Sequence, residues 1–166
     1  IVLVQHLYQV IAAGMAQWLS SASGLNVRLA QEGEPPQSGT VLLAGTNHHI
    51  RLLKNGTLAY TAEPVTEVYR ASSGTRAYTA GPVNEIYRPA VDVFVESVVS
   101  YWNGDAVGVL LTGMGRDGAQ GLKLMRQQGY LTIAQDQQSS AVYGMPKAAA
   151  AIDAAVEIRS LEKIAP

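Results

Sequence analysis

The sequence predicts an α/β protein with a doubly wound, mostly parallel sheet and helices on both faces, a three-layer arrangement. Three observations predict it. Short aliphatic and β-branched runs alternate with longer stretches of helical periodicity, the pattern of parallel strands joined by crossover helices. The run from Val107 to Leu111 is apolar and short, as suits a strand buried on both faces. From there the chain passes Gly113, Gly115, Gly118 and Gly121 and continues into Leu122 and Met125 at helical spacing. Such a strand-to-helix corner lies at the carboxyl ends of strands, where open parallel sheets collect their ligand sites.

In chain order, Ile1 to Gln5 reads as the first strand, with His6 at its carboxyl end. A strand that begins at residue 1 implies sequence upstream of it. Ile11, Met15, Trp18 and Leu19 mark an amphipathic helix over about 10–21, closed near Ser23 and Gly24. Val27 to Ala30 is a short strand, EGEPPQSGT a loop, and Thr40 to Ala44 a third strand. Ile50 to Leu53, Asn55-Gly56 and Leu58 to Tyr60 spell a hairpin with a type I′ turn. Pro89 opens a helix with Val91, Phe94, Val95, Val98 and Val99 on its apolar face, ending at Asn103 and Gly104. After the corner come a helix over about 118–128, a strand from Tyr130 to Ala134 and a polar loop from Asp136 to Ser140. Pro146 begins an Ala-rich helix, and Val156 to Ile158 is the last strand.

Within 59–88 the sequence duplicates itself: AYTAEPVTEVYR from Ala59 returns as AYTAGPVNEIYR from Ala77, a shift of 18 residues. Two copies are too few for a solenoid. The second copy runs straight into a helix and takes the structural role, while the first lengthens a surface excursion.

Residues 1–166 fit a single domain. Hydrophobic residues make up 48% and charged residues 15%, a globular balance. A net charge of −1 with no basic cluster argues against a nucleic-acid partner. The absence of Cys removes disulfides, thiolate nucleophiles and Cys-based metal sites. No apolar run reaches the ~18 residues of a membrane span, so no membrane insertion is expected. The first residues lack the basic start of a signal peptide. A cytoplasmic location is compatible with all of this.

Gly113, Gly115 and Gly118 spell the GxGxxG of dinucleotide sites, with Asp136 near the place of a ribose-binding acid. Asp117 argues against that use, since it puts a carboxylate where a pyrophosphate needs a positive nest. The corner can instead hold a carboxylate and a set of backbone amides. Asp117 at the start of a helix stays ionised, either as a simple N-cap or as the partner of a catalytic imidazole. His6 ends another strand of the same sheet. If both strands are central, imidazole and carboxylate meet on one rim, and an ionised Asp that orients a His is the pattern of acyl transfer to a hydroxyl. Backbone N–H groups near Met114, flanked by Gly113 and Gly115, complete an oxyanion site. His48 and His49 are adjacent on a strand end and point opposite ways, which disfavours a metal pair. Arg116 and Lys123 suit either an acidic partner or a solvated helix face.

LLTGMGRDGAQG, together with VQH, YRPAVDVF and TIAQDQQSSAVYGMPKAA, resembles the catalytic domain of CheB-type protein-glutamate methylesterases of chemotaxis signalling, from Ile1 to about Ala151. The resemblance implies hydrolysis of glutamate methyl esters, and in some members deamidation of Gln, on chemoreceptor-type proteins, through a Ser, His, Asp triad without cofactor or metal. It implies His6 as the triad His, Asp117 as the triad Asp, Met114 as a residue lining the active site, and His49 and Ser140 on the substrate rim. It further implies a receiver domain upstream in full-length relatives.

Three departures stand out. The family's nucleophilic Ser belongs to a strand and a Gly-Ala-Ser-x-Gly-Gly loop that precede VQH, and no such motif occurs here. Ser139 and Ser140 lack the strand-elbow-helix setting that activates a nucleophile. Leu7 and Tyr8 stand where the family often has Met and Pro, and the duplication falls just before the YRPAVDVF helix. The sequence therefore reads as an N-terminally incomplete catalytic domain, inactive by itself. The alternatives are a non-catalytic receptor-binding module and, less favoured, a dinucleotide-binding protein.

Overall fold

The computed structural model describes residues 1–61 and 89–164. Most of the duplication, 62–88, lies outside the described residues. The elements in order are β1 (Val2–Leu3), α1 (Gln9–Ser23), β2 (Asn26–Leu29), β3 (Thr40–Leu43), β4 (His49–Leu52), β5 (Leu58–Thr61), α2 (Val91–Tyr101), β6 (Val107–Leu110), α3 (Ala119–Gln127), β7 (Leu131–Gln135), α4 (Met145–Ala151) and β8 (Glu157–Arg159), followed by a 3₁₀ turn at Leu161–Lys163. Strands alternate with helices in the predicted order, and the fold is α/β.

β3 is the middle strand of a parallel sheet ordered β1-β3-β2, with Val2 and Leu3 beside Leu42 and Leu43, and Asn26–Leu29 beside Thr40–Leu43. Side chains alternate across a strand. Leu43, Leu3, Val27 and Leu29 therefore share one face and pack with Met15, Ala16 and Leu19 of α1. Leu42, Ala44, Val2 and Val4 turn the other way, onto Ile50, Leu52 and Leu58 of the β4–β5 hairpin and Phe94 of α2. Gly24, left-handed at φ 70°, closes α1 by donating its N–H to the Ser20 carbonyl.

β6, β7 and β8 form a second parallel sheet. Leu110 and Ala134 pack with Ala119 and Leu122 of α3 and Ala149 of α4. Gly108 lets α3 approach closely, since a Cβ there would lie 2.7 Å from Met125 Sδ and 2.8 Å from Leu122 Cδ1.

Among the described residues the parallel strands lie in two three-stranded sheets. Among the described residues β1 pairs only with β3 and β6 only with β7. A cavity of about 630 Å³ lies between them, lined by residues 1–6 and 105–114 with Val95, Val98 and Trp102 of α2. The hairpin turn is not type I′. That turn needs positive φ at both central residues, whereas of Asn55 and Gly56 only Gly56 has it, at 81°. Leu53 and Thr57 close a three-residue loop, with the Gly56 N–H on the Leu53 carbonyl, and Asn55 Oδ1 accepts from the Thr57 N–H and hydroxyl. Finally, the first copy of the duplication is also structural at its start, because Ala59, Tyr60 and Thr61 belong to β5. The Tyr60 hydroxyl ties the hairpin to the first sheet, donating to the Ala30 carbonyl and accepting from the Gly45 N–H.

Candidate active site

His6 and Asp117 are separated by 111 residues, and the fold brings His6 Nε2 to 2.6 Å from Asp117 Oδ2. His6 follows β1, and Asp117 sits in the turn between β6 and α3. Both follow the carboxyl ends of parallel strands, and His6 lines the cavity between the sheets. The pair is partly shielded, with 21% of the His6 side chain and 9% of the Asp117 side chain exposed.

Asp117 does not cap the helix it precedes. Gly118 is the N-cap of α3, left-handed at φ 86°. The Asp117 carboxylate turns instead to the N-terminus of α2, where Oδ2 accepts the Val91 N–H at 2.6 Å and Oδ1 accepts the Asp92 N–H at 3.0 Å. The Gly118 N–H also reaches Oδ1, at 3.0 Å. With His6, four donors occupy the roughly four lone-pair positions of a carboxylate. Burial by itself raises the Asp117 pKa, but the hydrogen bonds from His6, Asp92 and Val91 outweigh it and hold the carboxyl below its ordinary value. The partial positive charge of the α2 N-terminus favours the anion further. The chemical result is an ionised, immobile acceptor under one nitrogen of the imidazole. When Nε2 carries the proton donated to Asp117, Nδ1 carries the lone pair that a base requires.

His49 is not on a rim. It is 1% exposed, and its Nδ1 accepts the Ala90 N–H at 3.2 Å. Its neighbour His48 is exposed, so the two histidines point opposite ways. His49 and Asp117 thus share the first amides of α2, and the inward position of His49 follows from that capping task. Among the described residues, no group of three or more His, Cys, Asp or Glu side chains is placed to hold a metal ion.

Of the expected oxyanion group, Gly113 is committed elsewhere. Its N–H donates to the Val142 carbonyl and its carbonyl accepts from the Met145 N–H. It has no room for a side chain, since a Cβ would collide with Met145 Sδ. Gly144 presses equally close, its Cβ position lying 2.6 Å from the Gly113 carbonyl and 3.1 Å from the Gly115 N. Close backbone approach, rather than a phosphate cradle, accounts for these glycines. Gly115 is left-handed at φ 84° and Met114 is 74% exposed at the mouth of the cavity.

The serines near the corner serve the loop. Ser139 Oγ donates to Asp136 Oδ1 and accepts the Leu161 N–H, and Ser140 Oγ donates to the Asp136 carbonyl at 2.6 Å. Gln135 is 1% exposed and links this loop to the corner, with its Oε1 on the Thr112 N–H and its Nε2 on the Ser139 carbonyl.

Sequence reasoning assigned no role to Asp92, although it lies one residue inside α2 and beside Asp117. Its Oδ1 accepts the Gly121 N–H of α3 at 2.7 Å. Burial raises its pKa to about 7, helped by the Asp117 and Glu96 charges and opposed by the Gly121 and Gly118 amides. An acidic residue in the first turn of a helix was the available signal, but ordinary dipole complementation would produce the same signal.

The model of the CheB methylesterase family matches residues 1–166. The chain is 80% identical over 166 residues to a protein-glutamate methylesterase/protein-glutamine glutaminase of Pseudomonas fluorescens strain Pf0-1, covering all of this chain and 44% of that one. It is 67% identical over 166 residues to a counterpart in Pseudomonas aeruginosa strain PAO1, with the same coverage of 44%. The crystal structure of the Thermotoga maritima CheB methylesterase catalytic domain superposes with a TM-score of 0.79 at 29% identity, over 99% of this chain and 79% of that one. The chain therefore spans less than half the length of the full relatives it matches.

Proposed function

The chain belongs to the CheB methylesterase family, and from that premise we propose that residues 1–166 are the His- and Asp-bearing part of a single catalytic domain that hydrolyses glutamate methyl esters on chemoreceptor-type proteins. The observation that carries the reading is the 2.6 Å bond between His6 Nε2 and Asp117 Oδ2. His6 is the base, and Asp117 orients it and stabilises the imidazolium. The nucleophile is a Ser on a segment outside this sequence. The edges of β1 and β6 that are unpaired among the described residues support that reading, because a strand laid between them would end beside His6.

The reaction runs in two halves. The Ser oxygen attacks the ester carbonyl while its proton passes to His6. The tetrahedral oxyanion is held by backbone N–H groups near Met114 and Gly115, not by Gly113. The intermediate collapses, the acyl C–O bond to methoxide breaks, and the departing oxygen takes the proton from His6 as methanol. Water then attacks the acyl-enzyme with the same base, releasing glutamate and restoring the Ser. A primary amide follows the same course with ammonia as leaving group, which is the chemistry of Gln deamidation.

Methylated chemoreceptor-type protein as substrate, a receiver domain upstream and a cytoplasmic location are parts of the same proposal. Among the described residues, no helix is long and apolar enough to cross a membrane. Methanol release from methylated receptor tests the reading. The 166-residue chain alone is expected to be silent, and a longer chain carrying the Ser segment to be active and to lose activity on His6→Ala. Release by the short chain near the rate of the longer one, or an active His6→Ala variant, overturns it.

A further inference from the structure

The N-termini of α2 and α3 face one another and exchange carboxylates. Asp117, leading into α3, accepts the Val91 and Asp92 amides of α2. Asp92, in the first turn of α2, accepts the Gly121 amide of α3 at 2.7 Å. The approach is tight, since a Cβ on Gly121 would lie 2.7 Å from Val95 Cβ and 3.2 Å from Asp92 Oδ1. One residue, Asp92, therefore takes part in both halves: its N–H holds Asp117, and its carboxyl group holds the helix that Asp117 introduces.

We propose that Asp92 is a positioning residue, which fixes the start of α3 against α2 through Gly121 and so keeps the Asp117 carboxylate within hydrogen-bonding reach of His6. Its carboxyl group bonds α3 at Gly121, so it works through Asp117 and not on a reacting atom. Two helix N-termini in contact place partial positive charge against partial positive charge. Asp117 already has its four donors, His6, two amides of α2 and the Gly118 amide, and so leaves the Gly121 amide inside α3 to another acceptor. Asp92 serves the other end. The titratable neighbours that bear on it are Asp117 from the turn before α3, Glu96 from its own helix and, beyond Asp117, His6. Asn in place of Asp92 keeps the acceptor for Gly121, whereas Ala removes it.

This inference rests on His6 and Asp117 being the working pair, but its test needs no catalysis and so separates the two. The His6 ring proton shared with Asp117 is observed by NMR in the 166-residue chain and in two variants. Asp92→Ala is expected to let Asp117 drift and to lose the downfield, slowly exchanging signal of that proton. Asp92→Asn is expected to keep it. A folded Asp92→Ala chain that retains the signal at its wild-type position overturns the proposal, whatever its melting temperature, as does an Asn variant that behaves like the Ala one. If Asp92→Ala does not fold, the wild-type chain decides: a Gly121 amide shift that follows the Asp92 carboxyl carbon through its titration supports the link, and a Gly121 amide that stays flat overturns it.

Discussion

At the scale of single residues, the site is governed by two partly buried carboxyl groups with opposite displacements. Asp117 is held below its ordinary value, so it binds protons more weakly in the folded chain than in the unfolded one. Its contribution to stability is present above the unfolded value of 3.8 and is lost as pH falls through the lowered folded value. Asp117→Asn is therefore expected to flatten the acid limb of a urea-unfolding series below about pH 4. At neutral pH it should cost roughly 1–3 kcal/mol, because a carboxamide cannot accept from all four donors. Asp92 behaves in the opposite sense. Its pKa rises from 3.8 to about 7, so the folded chain binds that proton more tightly. Its contribution is most favourable below 3.8 and falls away as pH climbs to about 7. Asp92→Asn should weaken the decline in stability between pH 4.5 and 8 without abolishing it, since burial also raises the Glu96 pKa. A chain whose decline is as steep as wild type contradicts the assignment.

At the scale of elements, glycine positions separate conformational need from packing need. Gly24 and Gly118 both lie at helix ends with positive φ, 70° and 86°. Beyond Gly24 there is open space, whereas a Cβ on Gly118 would lie 2.7 Å from Leu110 Cδ1 and 2.8 Å from Val91 Cγ1. Gly24→Ala should thus cost only the left-handed backbone term, about 1–2 kcal/mol. Gly118→Ala adds overpacking of typically another 1–3 kcal/mol and pushes the α3 start away from α2. Thermal melts of the two variants test this ordering, and equal losses contradict it. The elements themselves were legible in the sequence where periodicity was strong: α1, α2, α3, β3, β6 and β7 appear within about two residues of expectation. The hairpin turn was misread because Asn-Gly is compatible with two loop geometries. The choice fell to the Leu53–Thr57 closure, where Asn55 takes an ordinary φ and uses its side chain to hold Thr57.

At the scale of the whole molecule, the dominant feature among the described residues is that β1 pairs on one edge with β3 and β6 on one edge with β7. Val107 and Val109 remain 58% and 43% exposed beside a cavity lined by apolar side chains. Unpaired strand edges next to apolar surface favour intermolecular pairing. The 166-residue chain is expected to self-associate as its concentration rises, measured by light scattering after size exclusion. Val109→Lys, which places a charge on that face, should shift the chain toward monomer. A wild-type chain that stays monomeric at hundreds of micromolar contradicts this.

The sequence by itself determined the α/β class, the order of its elements, and both members of the His6–Asp117 pair. Strand and helix periodicities are local, and the glycine corner announces a carboxylate in an unusual place. Only the tertiary structure decided what that carboxylate does. Asp117 serves the N-terminus of α2 rather than that of its own helix, His49 turns inward to share the task, Gly113 closes a bridge to Val142, and Asp92 returns the clasp through Gly121. The physical reason is that a hydrogen bond depends on proximity in space. A local sequence pattern supplies the donors and acceptors near each residue, but the pairing of two helix ends about 25 residues apart is fixed only when their side chains pack.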